Sequence, residues 1–511
     1  MTATVFFNGT IRRLPGKATA QWLLVQDNRV EAIGTGDRPH ADRAVNLDGG
    51  TLVPAFRDAH VHLPATGLYA TGLDLRGETS ADAIVAALAR RARADDGILF
   101  AGNFEDPLDR PLEARDIDGA VGARPALLAR ADMHSCIVSS ALLDELDLTD
   151  LEGVDRDEQG PTGYLREQAA ARAWSWFDQN LSDREQQEAV RAAVQLAYSK
   201  GIAEVHEMFV VEWRGWRSAE LFAETIEDVA LDVALWLGTA EVERVAEMGL
   251  PRIGGDFFLD GSFGSHTAWM KDPYIEPPPA GGPASGIAYR GDDELFDFFM
   301  RAQSAGLQTG VHAIGDAAIE QAIGCWEKVA GEVGETEVRA LGHRIEHFEC
   351  ATDDLIERAL RLGLRASIQP AFDRYWGGPD GLYAHRIGWE RARTMNRFST
   401  MLEAGLMVAG GSDSTVTPMD PFLQMAALRL HHVEEERCSR LEALRLHTMG
   451  PALIAGHHSI KSTLEAGMQA DMAWLDRDPL AVTSDDLLDT EVLGTWIAGR
   501  NVWPPPEAEA A

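Results

Sequence analysis

Beyond about residue 185, short apolar runs alternate with longer stretches in which apolar positions recur every three to four residues. The short runs predict buried strands and the longer stretches amphipathic helices. One strand is predicted to end at His60 and His62. Others are predicted over 201–208, 231–238, 256–260, 307–312, 341–348, 365–370 and 406–413, with helices such as 293–305 and 353–362 between them. Eight strands with intervening helices predict an α/β fold, a (β/α)8 TIM-type barrel. Chemistry in such barrels gathers at the C-terminal strand ends.

Two regions break this rhythm. Residues 1–50 alternate in strand fashion, with Asn8-Gly9 and Asp27-Asn28 as turn signals, and 470–475 and 492–502 do the same. Both end segments are short for independent stability. The reading is therefore one small composite β-sandwich made from 1–56 and 452–511, flanking a barrel over 57–451. Residues of about 70–185 are too long for a single connection and carry a helical stretch at 81–93, Gly and Pro punctuation, and a second helix at 184–198. They are expected to form a subdomain inserted after the first barrel strand.

Composition narrows the function classes. The chain has 511 residues, 45% of them apolar, and a net charge of -35. A nucleic-acid partner needs a basic footprint, which this charge does not provide. No run approaches the roughly 18 apolar residues of a membrane span, and the N-terminal segment lacks a secretory pattern. A cytoplasmic protein with no membrane association is expected. A homodimer is expected on the prevalence of twofold assemblies. Cys136, Cys325, Cys350 and Cys438 are scattered without a CxxC pair, so neither a disulfide framework nor a thiolate metal site is predicted. The Asn8-Gly9-Thr10 sequon is read as a turn.

Candidate chemistry begins with His60 and His62, one residue apart, whose imidazoles a period of two turns to the same side. Imidazole is a common ligand for zinc-like metals. Three further predicted strands end in His312 (VHAIGD), His347 (HRIEHFE) and Asp413 (GGSDS). Taken together, His60, His62, His312, His347 and Asp413 meet at one barrel mouth as a ligand set for one or two divalent cations.

These segments, with FFLDGSFGSHTA, RADMHS and the tail LEAGMQADMAWLDRDPL, resemble the amidohydrolase superfamily, in particular its amidohydrolase-3 branch of deformylase-like metal-dependent hydrolases. The resemblance implies that the five residues are the metal site. It also implies hydrolysis of a carbon-nitrogen, amide-type bond in a small molecule. Asp413 would move protons, and His347 would act as ligand or oxyanion stabiliser. His134 and His206 match segments of the branch, and Asp260 and His266 lie in its DG-containing segment; all four are candidates to face substrate. Trp376, after the seventh strand, is a candidate aromatic wall.

Departures from the pattern matter. Asp256 stands where branch members often carry a lysine that, carboxylated, bridges two metals. Lys17, Lys200, Lys271, Lys328 and Lys461 all lie elsewhere. One ion, zinc with iron or manganese as alternatives, is therefore expected in place of a carbamate-bridged pair. His343 is expected deeper on the face of His347, and His431, His432, His457 and His458 are expected at the surface. Deamination of an amino-heterocycle and a non-catalytic role are the alternative functions.

Overall fold

The Phe56–Val61 and Ile202–Phe209 strands are buried along their entire lengths, as expected of parallel strands covered on both faces. In the computed structural model, which describes residues 3–505 except 95–96, 105–106, 131–134, 150, 152 and 279–281, they pair in parallel. Asp232–Leu237 completes a three-stranded sheet. A second, five-stranded parallel sheet runs in the order Arg252–Ile253, Gln308–Ala313, Arg344–His347, Arg365–Ile368 and Met407–Gly410. Helices Asp292–Ser304, Asp316–Val333 and Asp353–Leu362 alternate with these strands. Backbone bonds join the two sheets on either side. Gly254 N donates to Leu237 O (2.9 Å), Asp413 N to His60 O (2.8 Å) and His62 N to Ser414 O (2.9 Å).

The fourth strand differs from expectation. It lies at Arg252–Ile253, and the expected run 256–260 makes only a parallel bridge between Phe258 and His312. Gly254 and Gly255 cause the shift, with φ of 86° and 75°. A Cβ at Gly254 would stand 2.1 Å from Gly310 O, so only glycine permits this approach of the two backbones.

Both ends of the chain share one eight-stranded sheet. Thr51–Pro54 pairs antiparallel with Met472–Leu475 on one side and parallel with Ala3–Arg12 on the other. Phe6, Leu23, Val25, Leu52, Met472 and Trp496 form its buried cluster. Asp27 sits in the turn between Thr19–Gln26 and Arg29–Gly34, as its turn signal implied. Asn8-Gly9 does not make a turn. It lies within Ala3–Arg12, where the register slips between Phe7 and Ile11.

The strands and sheets above belong to one compact unit, comprising 1–62, 195–210 and 228–511; the other comprises 63–194 and 211–227. That second unit is an α/β layer in its own right, with a six-stranded mixed sheet that helix and turn signals alone did not disclose. Its Ala126–Arg130 strand explains the layering. Leu127 and Ala129 point into a cluster with Ala169, Ala170, Ala173 and Phe177, whereas Ala126 and Leu128 point into one with Ile84, Leu88, Ile117 and Val121. Alternation thus buries both faces of the sheet. No helix among the described residues is long and apolar enough to cross a membrane.

Candidate metal centre

Three of the four histidines of the predicted set spend one ring nitrogen on a fixed acceptor. His60 Nδ1 donates to Glu346 Oε2 (2.9 Å), His62 Nδ1 to the Met208 carbonyl (2.9 Å) and His347 Nδ1 to Gln369 Oε1 (2.8 Å). His312 Nδ1 lies 3.3 Å from Asp260 Oδ1. Such outer partners fix tautomer and ring orientation, leaving Nε2 bare as a ligand atom. The bare nitrogens converge. His62 Nε2 is 3.1 Å from Asp256 Oδ2 and 3.2 Å from Asp413 Oδ1, and His60 Nε2 is 3.5 Å from both. His347 Nε2 stands 3.9 Å from Asp256 Oδ1, and the His312 and His347 rings are 4.5 Å apart.

Two triads have potential ligand atoms all within 4.8 Å of one another: His60, His62 and Asp256, and His60, His347 and Asp413. Four of the five predicted residues belong to them. His312 stands beside the triads, joined through His347 and Asp260. Asp256, whose role in place of the branch lysine the sequence left open between a direct bridge and a hydrogen-bond acceptor, is a member of the first triad; the Gly254-Gly255 turn immediately before it carries its backbone to the cluster. Lys200, Lys271, Lys328 and Lys461 are each engaged with carboxylates elsewhere, and Lys17 is exposed.

The backbone is strained where the ligands turn in. His347 has φ of 69°, Phe348 of 52° and Asp413 of 52°, in the left-handed region that non-glycine residues rarely occupy. Arg344 and Glu346 already point to the interior, so regular alternation would send His347 outward. The twist at His347 brings its ring back. His343 keeps to the outward face, stacking on Trp326 at 3.8 Å and meeting Thr309 and Gln303, which corrects the expectation that it shares the face of His347. Gly411, in the GGSDS segment, permits the last strand to press on the first. A Cβ there would be 2.7 Å from His60 N. Asp58 closes the same seam by accepting from Ser412 N (2.8 Å) and His60 N (3.2 Å).

The electrostatics define what is missing. Burial pulls the His60 and His62 rings down, but the Asp256 and Asp413 carboxylates outweigh it and hold His60 well above its usual value and His62 at about 10. Burial pushes His347 down to about 3, helped by neighbouring His312 and His60. His60 Nε2, Asp256 Oδ1 and Asp413 Oδ1 are buried without hydrogen-bond partners. Buried polar atoms without partners are costly, and two carboxylates facing bare imidazole nitrogens match the donor set of a divalent cation. The residues present therefore fit a metal.

The other predicted residues fall into three places. Asp260 accepts from Ile314 N, Gly315 N and Trp269 N at 2.8–3.0 Å and so braces His312 and the loop after it. Trp376 packs on Phe372, whose ring lies parallel to His347 at 5.9 Å. His266, with φ of 58°, packs on Tyr274 in the 261–268 loop. His206 is held away from the cluster: Arg344 donates to its Nδ1 (2.7 Å), and its Nε2 faces Glu204 at 3.4 Å. His134 lies outside the described residues. His431, expected at the surface, is buried against Asp373, and His457 meets Glu204 at 3.1 Å.

A Bacillus subtilis protein named "Putative amidohydrolase YtcJ" is 28% identical over 94% of this chain and 95% of its own length. The N-substituted formamide deformylase of Arthrobacter pascens is 25% identical over 98% of each. A crystal structure of an uncharacterized metal-dependent hydrolase from Pyrococcus furiosus, 28% identical, superposes with a TM-score of 0.78 over 94% of this chain and 100% of that one. The amidohydrolase family model matches residues 43–503, and the chain belongs to that family.

Proposed function

We propose that the protein is a metal-dependent hydrolase that cleaves an amide-type carbon-nitrogen bond in a small molecule, and that its eight parallel strands close into the barrel bearing this site. One observation carries the reading: His60 Nε2, Asp256 Oδ1 and Asp413 Oδ1 are buried, bare and convergent. His60, His62, Asp256 and Asp413 would hold one divalent ion, zinc with iron or manganese as alternatives, with His347 and His312 beside them. A cation there would supply a hydroxide-like nucleophile at neutral pH and polarise the scissile carbonyl.

The chain's own residues do the rest. Asp413 Oδ1 receives the proton released by the nucleophile and returns it to the departing nitrogen. Where His347 is not itself a ligand, its other tautomer, with Nδ1 accepting from the Gln369 amide turned over, would put a proton on Nε2 for the developing oxyanion. The name of the Arthrobacter pascens relative makes N-formyl amines the first substrates to try.

The test pairs elemental analysis of purified protein with a screen of N-formyl and N-acyl amines, read by release of the free amine, for wild type and Asp413→Asn. Bound metal with turnover lost in Asp413→Asn is expected. Absence of metal after growth in supplemented medium, or undiminished turnover in the variant, overturns the reading. Ammonia release from an amino-heterocycle would move it to deamination.

A further inference from the structure

The loops that follow the last two strands of the five-stranded sheet are tied to each other by one buried amide. Gln424 is 1% exposed on the helix Pro421–Arg429, among Phe422, Met425, Ala426, Ala427 and Leu428, all buried. Its Oε1 accepts from Ala371 N (2.9 Å), and its Nε2 donates to Thr417 Oγ1 (2.9 Å). Thr417, fully buried, passes the bond on by donating to the Ser412 carbonyl. The direction of this chain of bonds is fixed. Ala371 N–H can only donate, so the amide oxygen faces it, the amide nitrogen faces Thr417, and the hydroxyl proton is left for Ser412.

Both ends of the chain of bonds reach the metal cluster. Ala371 lies in the first turn of the helix Pro370–Trp376, where a backbone N–H has no partner within the helix. Gln369, which caps that turn, holds His347 Nδ1, and Phe372 lies parallel to the same ring. At the other end, Ser412 immediately precedes Asp413, whose φ of 52° persists only where surrounding bonds over-determine it. Asp58 holds Ser412 by its N–H, and Thr417 holds it by its carbonyl. Packing alone does not ask for an amide at this position. A methionine would fill a similar volume with no buried polar group to satisfy.

We propose that Gln424 is a positioning residue that, through Thr417 on one side and Ala371 on the other, sets Asp413 and His347 at the separation a cation requires. The inference rests on the metal-dependent reading of the cluster, and assigns what keeps the second triad, His60, His347 and Asp413, in register.

The experiment titrates the metal-free full-length protein with zinc in a chelator buffer, or with iron(II) or manganese where zinc does not bind, and measures urea unfolding of the same samples. Gln424→Met and Thr417→Val are each expected to weaken metal binding by about tenfold or more. Because both break one chain of bonds, the double variant is expected to bind about as weakly as either single one, whereas independent effects would multiply. Thr417→Ser keeps the hydroxyl and is expected to bind as wild type does. Thr495→Val controls for a loss of stability alone: it removes a buried hydroxyl bond to the Tyr198 carbonyl (2.7 Å) in the terminal sheet, and is expected to unfold more easily with metal affinity unchanged. Wild-type affinity in Gln424→Met, losses matched by Thr495→Val, or losses that multiply in the double variant would overturn the inference and leave the metal-dependent reading standing. Wild type that binds none of the three ions overturns both. Should Gln424→Met not fold, Thr417→Val against Thr417→Ser decides.

Discussion

The strands of the first unit bury charge at both ends, in opposite ways. At their C-terminal ends Asp256 and Asp413 face histidines. Toward their N-terminal ends Arg57 bonds Glu204 (3.2 Å) and Asp471 (2.9 Å), Lys461 bonds Glu204 (3.1 Å) and Asp232 (2.6 Å), and His457 also meets Glu204. Arg57 further donates to the carbonyls of Ala55 and Thr448. In the floor around Arg57 the charges are paired within the protein, whereas His60 Nε2, Asp256 Oδ1 and Asp413 Oδ1 have no hydrogen-bond partner. Arg344 joins the two, bonding His206 on one side and Glu346, the partner of His60, on the other. Equal burial of charge thus serves stability in one place and binding in the other, and the difference lies in whether the partners are covalently part of the chain.

The contrast can be broken by substitution. Asp413→Asn is expected to lower turnover by about 10²–10⁴-fold while costing the metal-free protein less stability than Arg57→Met, since Asp256 remains to face the His60 and His62 rings. Steady-state kinetics and urea denaturation check this, and a large loss of stability would erase the distinction. Arg57→Met is expected to do the reverse, costing about 3–5 kcal/mol because Glu204 and Asp471 lose a buried partner, with metal content per folded molecule retained. Chelation of the metal is expected to withdraw about 3 kcal/mol of stability at free metal near 100 times its Kd, seen as a lower Tm. That contribution should shrink as pH falls, because protons compete with the cation for His60 and His62, whose cation-free values are raised.

The smallest effect sharpens the floor. Burial raises the Glu204 carboxyl, but His206, His457, Lys461 and Arg57 outweigh it and hold it well below its usual 4.5. A depressed folded value means that its stabilisation is present above the unfolded value and is lost as pH falls toward the folded one. Between pH 4.5 and 3, wild type is therefore expected to lose stability more steeply than Glu204→Gln, by up to about 1.4 kcal/mol per pH unit. Parallel slopes would show that Glu204 does not titrate with unfolding.

Much of the site was legible because strand ends are marked by local pattern. An apolar run that stops at a histidine or aspartate identifies His60, His62, His312, His347 and Asp413 without knowledge of their neighbours. What the pattern could not supply was curvature. Asp256 reaches the cluster through two glycines in left-handed conformations, and His347 turns inward against the alternation of its own strand. Period-two reasoning therefore misplaced His343 on the face of His347. The floor escaped notice because Arg57, Glu204, Lys461 and Asp471 are distant in sequence and each reads alone as a surface charge. The sheet of the second unit was missed for a related reason: its strands, such as Ser135–Val138 and Gly160–Arg166, are short and set among glycine and proline, where turn signals dominate.

One segment ties synthesis to activity. Thr51–Pro54 leads through Ala55 into the strand that bears His60 and His62, yet its antiparallel neighbour is Met472–Leu475. A ribosome must make more than four hundred further residues before that edge is covered. The nascent chain therefore carries His60 and His62 long before they can be locked in place, and the cluster with Asp413 assembles only after the residues of Met472–Leu475 have been made.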